Sequence, residues 1–255
     1  MKIVKELKNK MGEIKKSNSC GLMKIIEYNK YSDIKVKFKT GSVVKTNYSS
    51  FKNGGVKDPL FPSMYGIGYV GIGKYKTSIN SKITIEYNTW KHMLGRCYDP
   101  KYINKKLTYQ TAIVCKEWHN FQTFAEWFSK NYYKLFDVDI QLDKDIIKKG
   151  NKIYCPEYCS FVPRSINMLL VKSDKARGEY PIGVYFDKYR NKYVSRVTIN
   201  GKIKYLGRSF TPEEAFNIYK VWKEKYIKIM TNKYKDILNI KVYNSLMKYQ
   251  VLITD

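Results

Sequence analysis

The sequence predicts an α+β protein with three folded parts. Apolar residues alternate with lysines over residues 33–40, and this two-residue period is typical of a half-buried strand. Apolar residues recur at three- and four-residue steps over 85–98 and 116–136, which predicts two amphipathic helices. The chain has 255 residues, of which 44% are hydrophobic, so two or three small domains can each bury a core.

Residues 1–60 are predicted to form a small, basic, barrel-like β-domain. The expected strands are 23–28, 33–40 and 43–48. The solvent face of the middle strand carries three lysines, Lys35, Lys37 and Lys39. They are either solvated charges or a strip that faces phosphate groups. The Gly-, Pro- and Lys-rich residues 61–84 are expected to be a linker.

The candidate chemical site lies within residues 139–167. Asp143 and Asp145 follow a short apolar run, and a turn rich in Gly and Asn then leads to a second apolar piece. Pro163 can occupy the first position of a helix that carries Asn167. The pattern is strand, turn, strand, helix, with a carboxylate on the first strand and an amide on the helix. Such oxygen ligands suit a hard divalent cation, and magnesium is the expected cofactor.

Motifs around this segment carry a family resemblance. They are WKHMLGRCY (90–98), VCKEW (114–118) and Pro-Glu-x-Cys (156–159). Together with the strand–turn–strand–helix pattern they resemble the ββα-metal domain of HNH endonucleases, in a version common in phage and mobile-element proteins. The resemblance defines a predicted HNH-like domain over residues 85–171.

The resemblance assigns a role to several residues. Asp143 matches the acidic metal ligand and Asn167 the final ligand, which the helix carries. The next position after the acidic ligand is usually the general-base histidine, and here it is Lys144. A protonated lysine cannot take a proton from water unless burial strongly lowers its pKa. Asp145 or His119 is the candidate replacement base, and the alternative is a ββα unit that is kept only as a scaffold.

The charge balance predicts a polyanionic partner. Lys and Arg number 48 against 22 Asp and Glu, a formal net charge of +26 that is spread along the chain. Nucleic acid is the leading candidate, and an anionic membrane surface is the rival. The sequence contains no apolar run long enough to span a membrane and no recognisable signal peptide. We therefore expect a cytoplasmic protein, and the resemblance to phage HNH proteins implies a phage gene expressed in a bacterial host.

Five cysteines in a chain without an export signal predict reduced thiols. Four fall in the central region: Cys97, Cys115, Cys155 and Cys159. Four thiolates could hold a structural zinc ion. Only the last two are close in sequence, so the alternative is that all four are buried apolar thiols.

The C-terminal third predicts a second small fold. Its parts are a polar hinge (172–180), a domain of three strands and one helix (181–231) and a helical tail (232–255). Asn200-Gly201 is a strong hairpin signal between the second and third strands. Thr211 is expected to cap the helix, with Pro212 at its first position and Glu214 three residues after the cap.

This domain resembles the DNA-binding domain of plant ethylene-response factors, which also occurs fused to HNH domains. The matching features, over residues 183–227, are an opening Gly-Val, then Lys-Tyr-Val, Tyr-Leu-Gly and Thr-x-Glu-Glu-Ala. The resemblance implies a sheet in the DNA major groove. Its base-facing positions are Tyr185, Asp187, Arg196, Thr198 and Tyr205. The other predicted nucleic-acid contacts are Arg190, Lys192, Lys202 and Lys204. Because Asp187 and Thr198 stand where the family often has arginine, the resemblance does not imply a target sequence.

Two functions follow as expectations. The first is a DNA-binding, HNH-like endonuclease that hydrolyses phosphodiesters with magnesium. The alternative is a catalytically inactive, nuclease-derived nucleic-acid-binding protein, which acts as a regulator or as an inhibitor of a host nucleic-acid machine. Double-stranded DNA is the expected partner, and composition alone does not separate DNA from RNA.

Overall fold

The computed structural model describes residues 10–171, 178–199 and 201–255. Helices and sheets occur together, which confirms the α+β class. The chain divides into two compact units, Met1–Asn131 with Lys152–Cys155, and Tyr132–Asn151 with Pro156–Asp255. The predicted domain 85–171 is divided between them, and most of the predicted hinge lies outside the described residues. No helix in the described part of the chain is both long and apolar enough to cross a membrane.

The first unit begins with a four-stranded antiparallel sheet. Its strands, in spatial order, are β1 (Ile14–Ser17), β2 (Gly21–Lys30), β3 (Asp33–Phe38) and β4 (Val43–Thr46). Met23, Ile25, Ile34 and Val36 are buried on one face against Phe51 of the short helix α1 (Tyr48–Lys52). The sheet is open and does not close on itself, so the barrel-like prediction is corrected. Four strands are too few to close into a barrel.

Helices provide most of the regular structure in the rest of the first unit. Its elements are β5 (Ser78–Ile79), β6 (Lys82–Ile83), α2 (Ile85–Tyr98), α3 (Pro100–Lys105), β7 (Ile113–Val114), α4 (Phe121–Asn131) and β9 (Ile153–Tyr154). Trp90, Trp118 and Phe121 are fully buried. The indole nitrogen of Trp90 donates to the carbonyl of Trp118 at 2.7 Å. The aromatic stripes that predicted amphipathic helices therefore form the core of this part.

The helix predicted over 116–136 is interrupted. Lys116–His119 is a 3-10 turn, and α4 begins only at Phe121. Between them Asn120 has extended backbone, and its side-chain oxygen accepts the N–H of Gln122 at 3.0 Å. An asparagine that bonds nearby backbone in this way competes with continuous helix.

The second unit contains the strand–strand–helix segment. Strand β8 (Ile140–Asp143) pairs antiparallel with β10 (Ser160–Pro163), and α5 (Arg164–Leu169) follows. The predicted second apolar piece, which contains Cys155 and Cys159, does not form one strand. Its beginning is β9 of the first unit, which pairs parallel with β7, and only its end, β10, pairs with β8. Pro163 ends β10 in extended conformation and precedes α5, so it is not the first helical residue as predicted.

The C-terminal domain has the predicted three strands and helix. They are β11 (Val184–Asp187), β12 (Lys192–Ile199), β13 (Lys202–Ser209) and α6 (Pro212–Lys233), and the sheet is antiparallel in the order β11-β12-β13. Thr211 caps α6 by accepting the N–H of Glu214 at 3.2 Å, and Pro212 is its first residue. Ile199 pairs with Lys202, as the predicted Asn200-Gly201 hairpin requires. Asn200 itself lies outside the described residues.

The tail forms one further helix, α7 (Ile240–Met247). Its buried Val242 and Leu246 share a hydrophobic cluster with Val162 of β10, Ile166 of α5 and Ile227 of α6. The tail therefore holds the strand–strand–helix segment and the C-terminal domain together within the second unit.

Candidate metal site and nucleic-acid interface

Asp143 is the last residue of β8, and its carboxylate closes a turn. Its Oδ1 accepts the backbone N–H groups of Asp145 and Ile146, both at 2.7 Å. Burial raises the pKa of the Asp143 carboxyl, and the two N–H donors oppose that rise. The residue predicted as metal ligand thus also has a structural task at the strand end.

Lys144 is buried, with only 8% of its side chain exposed. Its ammonium nitrogen lies 2.8 Å from both carboxylate oxygens of Asp145 and 2.8 Å from the carbonyl oxygen of Asn151. The side-chain amide of Asn151 in turn donates to the carbonyl of Lys144 at 2.8 Å. Gly150 has a φ of 77°, which gives the predicted turn its left-handed residue. Lys144 is a donor that fastens this loop, and the Asp145 carboxylate is its acceptor.

Asn167 reaches the strand that carries Asp143. Its Nδ2 donates to Oε1 of Gln141 at 3.0 Å, and Nε2 of Gln141 donates to Asp139 at 3.1 Å. Residues two apart on a strand point to the same side, so Gln141 and Asp143 share one face of β8. The structure therefore brings Asn167 to the face of β8 that carries Asp143. Sequence reasoning missed Gln141, although its position two residues before Asp143 was a usable signal.

His119 belongs to the first unit, whereas Asp143 and Asn167 belong to the second. Its Nε2 lies 3.1 Å from the carbonyl oxygen of Val114. Because a carbonyl oxygen only accepts, Nε2 must carry the proton in this contact. The imidazole is thus a donor through that nitrogen.

The donor set around Asp143 suits a hard cation in its chemistry. The carboxylate of Asp143 and the amide oxygen of Asn167 are the ligand types that magnesium prefers, with waters completing its coordination. No group of three or more His, Cys, Asp or Glu side chains suited to hold a metal ion occurs in residues 10–171, 178–199 and 201–255. A magnesium ion held here by Asp143 and Asn167 would take waters as its remaining ligands.

The four central cysteines are thiols. Cys97, Cys115 and Cys155 belong to the first unit and Cys159 to the second. Burial raises the pKa of the Cys115 thiol to about 12, which keeps it protonated at neutral pH. Zinc binds the thiolate form. The division of the cysteines between two units and the protonated Cys115 thiol give the zinc prediction no support.

The C-terminal sheet has one face covered by α6. Val197 and Ile199 of β12 pack with Phe216 and Tyr219 of that helix. Residues directly opposite each other on paired strands point to the same side. Lys204 lies opposite Val197, and Lys202 lies opposite Ile199. Both lysines therefore point to the covered side, and the ammonium of Lys204 lies 5.6 Å from the ring centre of Trp222 on α6.

The opposite side of the sheet is called here the open face. It carries a row of three side chains, one from each strand: Tyr185, Arg196 and Tyr205. The guanidinium of Arg196 on β12 lies 4.5 Å from the ring centre of Tyr185 on β11, and Arg196 pairs with Tyr205 on β13. Tyr205 is 64% exposed. Burial, followed by the neighbouring Tyr205, raises the pKa of the Tyr185 hydroxyl. Thr198 lies two residues beyond Arg196 on the same face.

Arg208 is an open-face residue that sequence reasoning missed. It lies opposite Val194, which is paired with Tyr185. Strict alternation from Tyr205 would place position 207 on the open face. The pairing instead skips Leu206, and Leu206 and Gly207 both face α6. This β-bulge returns the chain to the open face at Arg208.

The remaining predicted contacts lie at the β11–β12 turn. The guanidinium of Arg190 pairs with Asp187 at 3.1 Å, and Asp187 also accepts the backbone N–H of Tyr189. Lys192 lies opposite Asp187, with its ammonium 4.6 Å from the ring centre of Phe210. Asp187 is therefore neutralised within the turn, and Lys192 remains a cation at the edge of the open face.

Comparison of the chain with protein-family models, with curated proteins and with solved structures found no match. The two family resemblances therefore remain predictions from the motif residues.

Proposed function

We propose that this protein binds double-stranded DNA through the open face of its C-terminal sheet. The observation that carries the proposal is the Tyr185–Arg196–Tyr205 row, in which an arginine lies between the half-buried Tyr185 and the exposed Tyr205 on the side away from α6. A two-stranded β-ribbon, such as two neighbouring strands of this sheet, fits the major groove, and arginine pairs bidentately with guanine. Lys192 and Arg208 provide phosphate contacts beside the row. The net charge of +26 supports the same class of partner.

Binding of a fluorescent duplex, followed by anisotropy at fixed salt, tests this function. Arg196→Ala is expected to weaken binding by about 1–3 kcal/mol, the range for removal of a bidentate hydrogen-bonding pair to a base. Lys202→Ala is the matched control, because it removes one charge from the covered side of the same sheet. Equal losses of affinity in both variants would refute a specific role of the open face. Duplex RNA at matched salt separates the two nucleic acids, since salt alone shifts such affinities strongly.

A second candidate is a magnesium-dependent endonuclease activity of the same chain. The observation that favours it is the placement of Asn167 on the Asp143 face of β8. In this proposal Asp143 and Asn167 hold the cation, which polarises the scissile phosphate when bound. Lys144 is a donor to Asp145 and Asn151, and His119 is a donor to Val114. Of the two candidate replacement bases, Asp145 already accepts from Lys144 and His119 already donates to Val114, so binding without cleavage is the favoured function, as in a regulator or an inhibitor of a host nucleic-acid machine.

A supercoiled-plasmid assay with magnesium, manganese or EDTA tests the second candidate. Asp143→Asn is the sharper variant, because asparagine can still accept the two N–H groups of the turn while it removes the carboxylate charge. Metal-dependent nicking that is abolished in Asp143→Asn would establish the endonuclease. A plasmid that is retarded in the gel but never cut leaves DNA binding as the function.

A further inference from the structure

The N-terminal sheet has a second face, opposite its core, that is rich in lysine. Strand pairing places Lys16 and Leu22 opposite each other, and likewise Lys24 and Lys37. Lys35 lies opposite both Glu27 and Lys45. Asp33 lies two residues before Lys35 on the same face and is paired with Lys30. The lysine face, as it is called here, thus carries six lysines and two carboxylates: Lys16, Lys24, Lys30, Lys35, Lys37, Lys45, Glu27 and Asp33.

Two pairs of lysines on this face lie directly opposite each other. Like charges in that arrangement destabilise a sheet. For Lys35 and Lys45 the repulsion is offset within the sheet, since Glu27 lies 2.8 Å from Lys35 and Asp33 lies 3.2 Å from Lys45. Among the described residues, no carboxylate lies within ion-pair distance of Lys24 or Lys37.

The uncompensated pair has further positive charge beside it. Lys16 lies opposite Leu22, and Leu22 lies two residues from Lys24 on the same face. Lys16, Lys24 and Lys37 are all exposed, and they form what we call the lysine cluster. An external anion would relieve the repulsion that the sheet itself leaves in place.

We propose that the lysine cluster is a second DNA-binding surface, which holds the phosphate backbone of a duplex without reading its sequence. The partner is taken from the proposed function, and the surface is separate from the open face. Lysine ammonium groups suit phosphate as compact point charges. The strands that form the lysine face contain no arginine and so lack the planar donor that reads guanine. Such contacts position a protein on DNA and add sequence-independent affinity.

The test compares two double variants of the full chain. Lys24→Ala with Lys37→Ala removes the uncompensated pair, and Lys35→Ala with Lys45→Ala removes the compensated pair from the same sheet. Both lower the net charge equally. Anisotropy with two unrelated duplexes over a salt series is the measurement.

We expect the first double variant to weaken binding of both duplexes about tenfold. The slope of log affinity against log salt should fall by about 0.9 for each phosphate that the variant no longer neutralises. The second double variant should change affinity less than about twofold. Equal effects of the two variants, no effect of either, or an effect on one duplex only would overturn the proposal.

Two controls keep the outcome interpretable. The first variant relieves a repulsion, so its urea midpoint should be unchanged or higher, and a clear fall would mean that weaker binding reflects damaged structure and would count against the cluster. Vesicles containing phosphatidylserine test the membrane rival, because Ile14 and Leu22 are exposed on the same face. Loss of vesicle binding with DNA binding intact would make the surface a membrane contact. If Arg196→Ala weakens DNA binding and the lysine variant does not, this inference fails while the proposed function stands.

Discussion

The ammonium of Lys144 lies 2.8 Å from each carboxylate oxygen of Asp145, its neighbour in sequence. The two residues occupy the position where the family resemblance expects a general base and the position beside it. In this structure the first is a buried donor and the second is its acceptor. The same ammonium also binds the carbonyl of Asn151, so the pair fastens the loop that follows β8.

Replacement of Lys144 by Met is expected to destabilise the protein by about 1–3 kcal/mol, because the buried hydrogen bond from its ammonium to the carbonyl of Asn151 is lost. The ion pair itself adds little, since half of the Asp145 side chain is exposed. Urea unfolding gives the free-energy difference. Lys148→Met is the control, and it should change stability by less than about 0.5 kcal/mol, because Lys148 is exposed. Equal stability of the two variants would contradict the structural role of Lys144.

The raised pKa of Asp143 predicts a pH dependence. Because burial raises the folded-state pKa above the ordinary 3.8, the protonated form favours folding. That contribution is complete below the unfolded pKa and is lost as the pH rises through the folded pKa. Asp143→Asn, which does not titrate, should therefore be at least as stable as the natural chain at pH 7. The advantage should shrink as the pH falls towards the unfolded-state pKa.

The difference in unfolding free energy between the two proteins, measured from acidic to neutral pH, checks this prediction. Using the difference cancels the titration of other groups. Asp143→Ala removes the acceptor of both turn N–H groups and should be less stable than Asp143→Asn throughout. A stability difference that is constant with pH would show that Asp143 has the same pKa in both states.

The β-bulge at Leu206 predicts opposite outcomes for two cations on one strand. Arg208→Ala should weaken duplex binding several-fold, because the bulge returns Arg208 to the open face. Lys204→Ala should have little effect, since that lysine lies over Trp222 on the covered side. Anisotropy at a single salt concentration is sufficient. The reverse ranking would mean that DNA contacts the side of the sheet packed against α6.

Ser195 predicts a stabilising substitution. Its side chain is fully buried, and its hydroxyl oxygen has no hydrogen-bond partner among the described residues. Ser195→Ala should raise stability by about 1–2 kcal/mol, because an unsatisfied buried hydroxyl is costly. Thr231→Val is the control, since the buried Thr231 hydroxyl donates to the carbonyl of Ile227 at 2.8 Å. The control should be neutral or slightly destabilising, and a gain in both would point to a general effect of removing hydroxyls.

The sequence predicted those secondary-structure elements that are determined by residues close together in the chain. The alternation of Ile34, Val36 and Phe38 with lysines marks β3, and these three residues are buried as the period requires. The Thr211 cap fixes the start of α6, because its oxygen bonds a backbone group only three residues away. Such features need no knowledge of distant partners.

Features that depend on distant partners were not predicted. A two-residue strand such as β9 has no readable period, and its partner β7 is remote in the chain. The burial of Lys144 depends on the carbonyl of Asn151, and lysine is seldom buried unless it is paired. The bulge at Leu206 shifts the phase of β13, so alternation alone could not assign Arg208 to the open face.

The membership of β9 in the first unit has a consequence for how the chain is made and inherited. Domains generally fold as units while the chain emerges from the ribosome. Here the first unit is still incomplete when Asn131 emerges from the ribosome. The strand partner of β7 is β9, within Lys152–Cys155, and this segment is translated only after β8. A gene fragment that stops at Asn131 would encode a product without that strand. The two units are therefore expected to pass through recombination as one piece, not as exchangeable modules.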